Sequence, residues 1–177
     1  MRKNAVSILA LGLFLISRSF FIDAAENRIP FHGLKAVAVF VENIDQEAIK
    51  DGLSKEQIKT DVELRLREAG IKVVPIEKSL SLSTPSYLYV IVNTVKFVSG
   101  LEYVYGTSVQ LKQVVVIERK KPVKPPKAYL WATTWEKSDG VGITSVEGLV
   151  ENVREHINNK VDAFISDYLA KNPKAKR

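Results

Sequence analysis

LSKEQIKTDVELRLREAGIKVV, residues 53–74, is the stretch whose reading decides the fold. Ser54 is a good helix N-cap, and Gln57 three residues on completes a capping box. Leu53 and Ile58 stand where a hydrophobic staple needs them, one before the cap and one at the fourth helical position. Ile58, Val62, Leu66 and Ala69 then recur at helical spacing. Lys59–Glu63, Asp61–Arg65 and Glu63–Arg67 are four apart on the wet side and predict ion pairs along the helix. Gly70 supplies a left-handed stop, with Ile71 free to fold back on Leu66. Ile71 to Val74 reads as a short strand, and Ala36–Val41 supplies a strand ahead of the helix. The result is a β-α-β unit onto which the remaining sheet and helix are added.

Outward from this unit, the downstream chain is rich in strand signals. Tyr87–Val98 and Tyr103–Glu118 are long and β-branched, and Ser99-Gly100-Leu101-Glu102 between them has the composition of a hairpin loop. Twelve extended residues reach about 40 Å, so this hairpin is expected to project beyond the sheet, with Gly106 marking a bulge or bend. Ala128–Glu136 is a third strand, which makes the three an antiparallel meander. Thr144 with Glu147 forms a second capping box opening a last helix, whose apolar stripe runs from Val146 to Tyr168 and ends at Asn172-Pro173. The order β-α-β-β-β-β-α predicts an α+β two-layer sandwich: a mixed sheet of about five strands with two helices on one face.

The chain has 177 residues, 46% of them apolar, which suits one globular domain behind a targeting segment. Met1-Arg2-Lys3-Asn4 is a positive start, Ala5 to Ile16 is an uncharged run of signal length, and Ala24-Ala25 offers a cleavage end. Residues 1–25 are therefore expected to be a signal peptide, 26–33 a lead-in, 34–171 the domain and 172–177 a basic tail. The net charge of +6 loses three basic and one acidic residue with the leader, leaving +4, too mild to imply nucleic acid. Absence of cysteine excludes disulfides, thiolate metal sites, a cysteine nucleophile and a lipid-modified cysteine. An exported, periplasmic or secreted protein that is not a lipoprotein is the expectation.

Two features are candidates for contact. Arg119–Lys127 concentrates five cations in nine residues stiffened by proline. Lys120, Lys121, Lys124 and Lys127 are read first as a solvated loop, and alternatively as an adhesive for anionic lipid or cell wall. Tyr87, Tyr89, Phe97, Tyr103, Tyr105, Tyr129, Trp131 and Trp135 lie mostly on one alternation phase of the three long strands. If helices cover one face, the other keeps apolar surface that implies a partner, an apolar ligand or self-association. Tyr103, Tyr105, Trp131 and Trp135 are the aromatic binding candidates.

The inventory for catalysis is thin. His32 and His156 are the only histidines and read as packing or solvent-exposed side chains; no serine elbow, metal spacing or nucleotide fingerprint occurs. Asp139-Gly140-Val141-Gly142-Ile143-Thr144-Ser145 reads as a turn leading into a cap. Neither a cofactor nor a catalytic or metal site is nominated, and an enzyme remains only as an alternative.

TDVELRLREAGI at 60–71, YLYV at 87–90, ATTW at 132–135 and DAFISDYLAKNP at 162–173 carry a resemblance. On these residues the chain resembles a recurrent group of small exported bacterial proteins with no assigned activity. In element order it is similar to periplasmic accessory domains: the amino-terminal domain of the Tol-system propeller protein and the auxiliary lipoprotein of lipopolysaccharide transport. The latter carries a lipid-anchoring cysteine that this chain lacks. The resemblance implies an envelope accessory module and no particular activity.

Overall fold

The computed structural model describes residues 31–118, 127–138 and 140–173. It is an α+β fold built on one open, mixed sheet of five strands: β1 (Ala38–Val41), β2 (Ser86–Lys96), β3 (Glu102–Glu118), β4 (Lys127–Ser138) and β5 (Gly142–Ser145). Four helices accompany it: α1 (Gln46–Lys50), α2 (Lys55–Glu68), α3 (Ile76–Leu80) and α4 (Leu149–Lys171). The strand order is β1-β2-β3-β4, parallel between β1 and β2 and antiparallel after that. β5 pairs with the first residues of β3, in line with β4 on the same side.

The long helices α2 and α4 lie against one face. Val39 and Val41 of β1, Leu88 and Val90 of β2 and Val109 and Leu111 of β3 point into that layer and are buried. They meet Ile58, Val62 and Leu66 from α2 and Val153, Ile157, Val161 and Phe164 from α4. Each such aliphatic side chain contributes roughly 1.5–3 kcal/mol by leaving water. Phe31 joins the same core, edge-on to Phe164 at 5.6 Å. The amide of Asn172 donates to the Phe31 carbonyl at 3.4 Å, which ties the end of α4 to Phe31.

The helix α2 forms as its local signals predict. The Ser54 hydroxyl accepts from the Gln57 amide at 3.3 Å, and Leu53 and Ile58 are both buried. Gly70 takes φ 79°, the Ile71 amide donates to Leu66 and the Gly70 amide to Arg67. Those two bonds make a Schellman stop. The ion pairs differ in part. Glu63 holds Lys59 and Arg67 as predicted, but Asp61 and Arg65 turn outward to α4. Asp61 accepts from Arg154 at 2.7 Å and Arg65 donates to Asp162 at 2.9 Å, because α4 lies alongside and presents both partners.

Several elements depart from the sequence reading, the short helices α1 and α3 among them. Ile71–Val74 does not extend into a strand; it makes a single parallel bridge, Val37 to Val73, before Pro75 opens α3. The fifth strand is Gly142–Ser145, where a helix cap was expected. Thr144 pairs with Tyr103 in the sheet and accepts a hydrogen bond from Asn152 at 2.8 Å, so α4 begins only after Gly148. Residues 102–105 of β3 are left unpaired by β4, and filling that gap claims the Thr144 backbone. Gly106 sits in regular register opposite Asn93 and makes no bulge. The β2–β3 hairpin does not overhang the sheet either; the ribbon of β3 with β4 does, since residues 114–118 of β3 pair only with β4.

Candidate functional site

The face of the sheet opposite α2 and α4 carries the candidate site. Strand alternation puts Phe40 of β1, Tyr87 and Tyr89 of β2 and Trp131 of β4 on this side. Phe40 stacks on Tyr89 at 5.6 Å, Tyr87 meets Tyr89 edge-on at 6.3 Å, and Trp131 tilts against Tyr87 at 5.1 Å. Ile76 and Leu80 of α3 close one side, and together these six residues line a shallow groove of about 420 Å³. α3 is held there by a buried serine pair: the Ser79 hydroxyl bonds to the Ser86 carbonyl, and the Ser86 hydroxyl donates to the Ala36 carbonyl at 2.9 Å.

Two ammonium groups stand over the rings. Lys55 lies 5.3 Å from the Phe40 centroid and Lys112 5.5 Å from that of Tyr89. Lys112 also donates to Thr133 at 2.7 Å, which fixes its side chain along the groove. Burial pushes the Tyr89 phenol above its ordinary range, helped by its hydrogen bond to the Glu42 carboxylate. It therefore stays neutral and donating across the ordinary pH range. Rings in edge and stacked geometry, with cations above them, suit binding of apolar or aromatic groups. Among the described residues, no cluster of His, Cys, Asp and Glu could hold a metal ion.

The aromatic candidates from sequence divide between the two faces. Trp131 is on the groove face and 41% exposed. Tyr103 and Tyr105 are 1% and 4% exposed and point into the helix layer. The register explains this. In the β2–β3 pairing, Tyr87 faces Lys112 and Lys96 faces Tyr103, so odd positions of one strand share a face with even positions of the other. Trp135 is also on the helix side, with its indole donating to Asp167 at 2.9 Å and its ring 5.3 Å from Phe164. A bulge in β4 causes the split: Leu111 pairs with Trp135 but Lys112 with Thr133, leaving Thr134 as the extra residue. Two tryptophans four apart, in phase on paper, thereby face opposite ways.

Of the basic run, Lys127 is the first residue of β4, while Lys120, Lys121 and Lys124 lie outside the described residues. His32 is exposed, and His156 meets the Tyr105 ring edge-on at 5.2 Å. The members missed from sequence are Phe40, Ile76, Leu80 and Lys112, while Tyr87 and Tyr89 belong to the aromatic set but not to the four binding candidates. Phe40 carried a usable signal, being the one bulky ring out of phase with Val37, Val39 and Val41 in an otherwise aliphatic run.

Fold and site together define an α+β domain whose sheet is shielded by long helices on one side and presents an aromatic groove on the other. No protein-family model, curated protein or solved structure matches the chain.

Proposed function

We propose that the protein is an exported, non-enzymatic binding module of the cell envelope that holds an envelope protein against the open face of its sheet. The observation that carries this reading is the aromatic groove of Phe40, Tyr87, Tyr89 and Trp131 on a face that neither α2 nor α4 shields. Contiguous exposed apolar surface of this kind marks contact sites more often than solvent faces. The leader-like residues 1–25 and the resemblance to small exported bacterial proteins support an envelope setting. The test is capture from the organism's own envelope fraction, with Trp131→Ala and Tyr87→Ala as variants. Retention of one protein by the native chain and its loss in both folded variants is the expected result. Retention of an apolar small molecule in its place, or equal capture by all three proteins, overturns the protein-partner reading.

A second reading, adhesion of the basic run to anionic lipid or cell wall, has one observation in its favour. The β3–β4 ribbon that leads into the run carries exposed Val116 and Tyr129 beside Trp131, and aromatic residues next to lysines suit a lipid interface. Replacing Lys120, Lys121, Lys124 and Lys127 by Gln should then abolish salt-sensitive sedimentation with anionic vesicles. Unchanged sedimentation rejects it.

A further inference from the structure

We infer that the outer edge of β4 pairs with the same strand of a second copy, joining two sheets across a two-fold axis through Leu130. The inference concerns the strand edge and does not depend on what the groove holds.

Backbone direction on this edge follows from one hydrogen bond. The Val114 amide donates to the Pro85 carbonyl at 3.4 Å, so Val114 turns its backbone toward β2 and away from β4. Even-numbered residues of β3 share that direction; the Glu102 carbonyl, which accepts from Phe97 of the β2 side, agrees. Their partners on β4 must turn outward, because a residue opposite a non-bonded neighbour points its amide and carbonyl the other way. Ahead of the Thr134 bulge those partners are Lys127, Tyr129, Trp131 and Thr133, opposite Glu118, Val116, Val114 and Lys112; beyond it they are Glu136 and Ser138, opposite Gln110 and Ser108. Among the described residues no strand pairs with β4 on that side.

Folded proteins usually blunt such an edge with charge, proline or a bulge. Here the charges of β4 stand at its ends, Lys127 before and Glu136 and Lys137 after, while the central Ala128-Tyr129-Leu130-Trp131-Ala132-Thr133 holds no charge and no proline, and the bulge comes only at Thr134. The opposite side of the sheet is treated differently: the Val37 amide and carbonyl are both taken up by residues 72–74, beside β1.

The four outward residues ahead of the bulge are spaced symmetrically about Leu130. An antiparallel copy related by a two-fold through Leu130 therefore satisfies these four at once, Lys127 against Thr133 and Tyr129 against Trp131, each twice. Tyr129 is 72% exposed, and in this register it lies across from Trp131 of the second copy on the open face. A self-complementary patch of this kind makes a closed dimer. A partner strand of other sequence would meet the backbone groups but not this symmetric aromatic exchange.

Leu130 faces its own copy in the close, non-bonded pair position, where Cα atoms are about 4.5 Å apart, within disulfide reach. The chain has no cysteine, so Leu130→Cys reads the register directly. The protein purified as the cell makes it should sediment at twice its chain mass, and Leu130→Cys should cross-link to itself on mild oxidation. Thr133→Pro removes an outward amide and the exposed hydroxyl that accepts from Lys112 but no ladder bond within the sheet, so it should leave the circular dichroism unchanged, halve the mass and abolish the cross-link. Tyr129→Lys places charge at the same edge and should do likewise. A native monomer, or a dimer that survives both folded variants, overturns the inference, whatever the capture experiment shows for the groove.

Discussion

At Gly142 the sheet leaves no room for a side chain. A Cβ there would lie 2.5–2.7 Å from the ring and hydroxyl of Tyr105, whereas one at Gly106 would meet nothing within 4 Å. Neither glycine has positive φ, so space alone separates them. Gly142→Ala should cost about 1–3 kcal/mol by overpacking, and Gly106→Ala should stay within about 0.5 kcal/mol of the native chain in urea melts. A second residue-scale constraint is Asp51, which accepts from Lys96 at 2.6 Å and from the Tyr103 hydroxyl at 2.7 Å. These two bonds, Lys96 first, hold its carboxyl below the ordinary value of 3.8. Burial, then the same hydrogen bond, pushes the Tyr103 phenol far above its ordinary value of 10.0. A carboxylate with a depressed folded value stabilises the fold above the unfolded value and loses that contribution as pH falls through the folded one. The native chain should thus lose melting temperature below about pH 3.8, and Asp51→Asn should lower it at neutral pH while flattening that acid limb. An unchanged acid limb would show that the cluster does not couple to folding.

Among the elements, α2 was legible because every signal that makes it is local: the cap at Ser54, the staple, the stripe and the stop at Gly70. Where α2 points its charges was not, since Arg154 and Asp162 come from a helix some ninety residues on. The Asp61–Arg154 pair is partly exposed, so a double-mutant cycle should return at most about 1 kcal/mol, while Leu66→Ala at the buried contact should cost about 2–5 kcal/mol. Equilibrium unfolding of the five proteins, the four of the cycle and Leu66→Ala, measures both. β5 was illegible for a related reason. Gly142–Ser145 carries a good capping pattern, and only the unpaired start of β3 makes it a strand. The alternation within each long strand could be read, but the relative phase of neighbouring strands depends on register, which the β2–β3 turn and the Thr134 bulge set. That is why Tyr103 and Tyr105 were grouped with Trp131 and turn out beneath it.

For the molecule as a whole, fold class and the shielding of one sheet face were accessible from apolar periodicity; which side chains occupy the open face required the register. The two tryptophans report on the two faces separately. Trp135→Ala removes a ring packed on Phe164 and should cost about 2 kcal/mol or more, whereas Trp131→Ala should leave the urea midpoint nearly unchanged. Fluorescence of each single-tryptophan protein checks the assignment: emission from Trp135 should be bluer and less accessible to iodide than that from Trp131. Reversed behaviour would place the groove on the wrong side.

The meeting of Phe31 with Asn172 has a consequence for genetic order. Because Phe31 and Asn172 meet, a short splice can bridge those positions while synthesis begins instead in the Ser99–Gly100 turn. Such a rearranged gene reads the modules in a different sequence yet specifies the same three-dimensional neighbours, so the topology tolerates a new beginning.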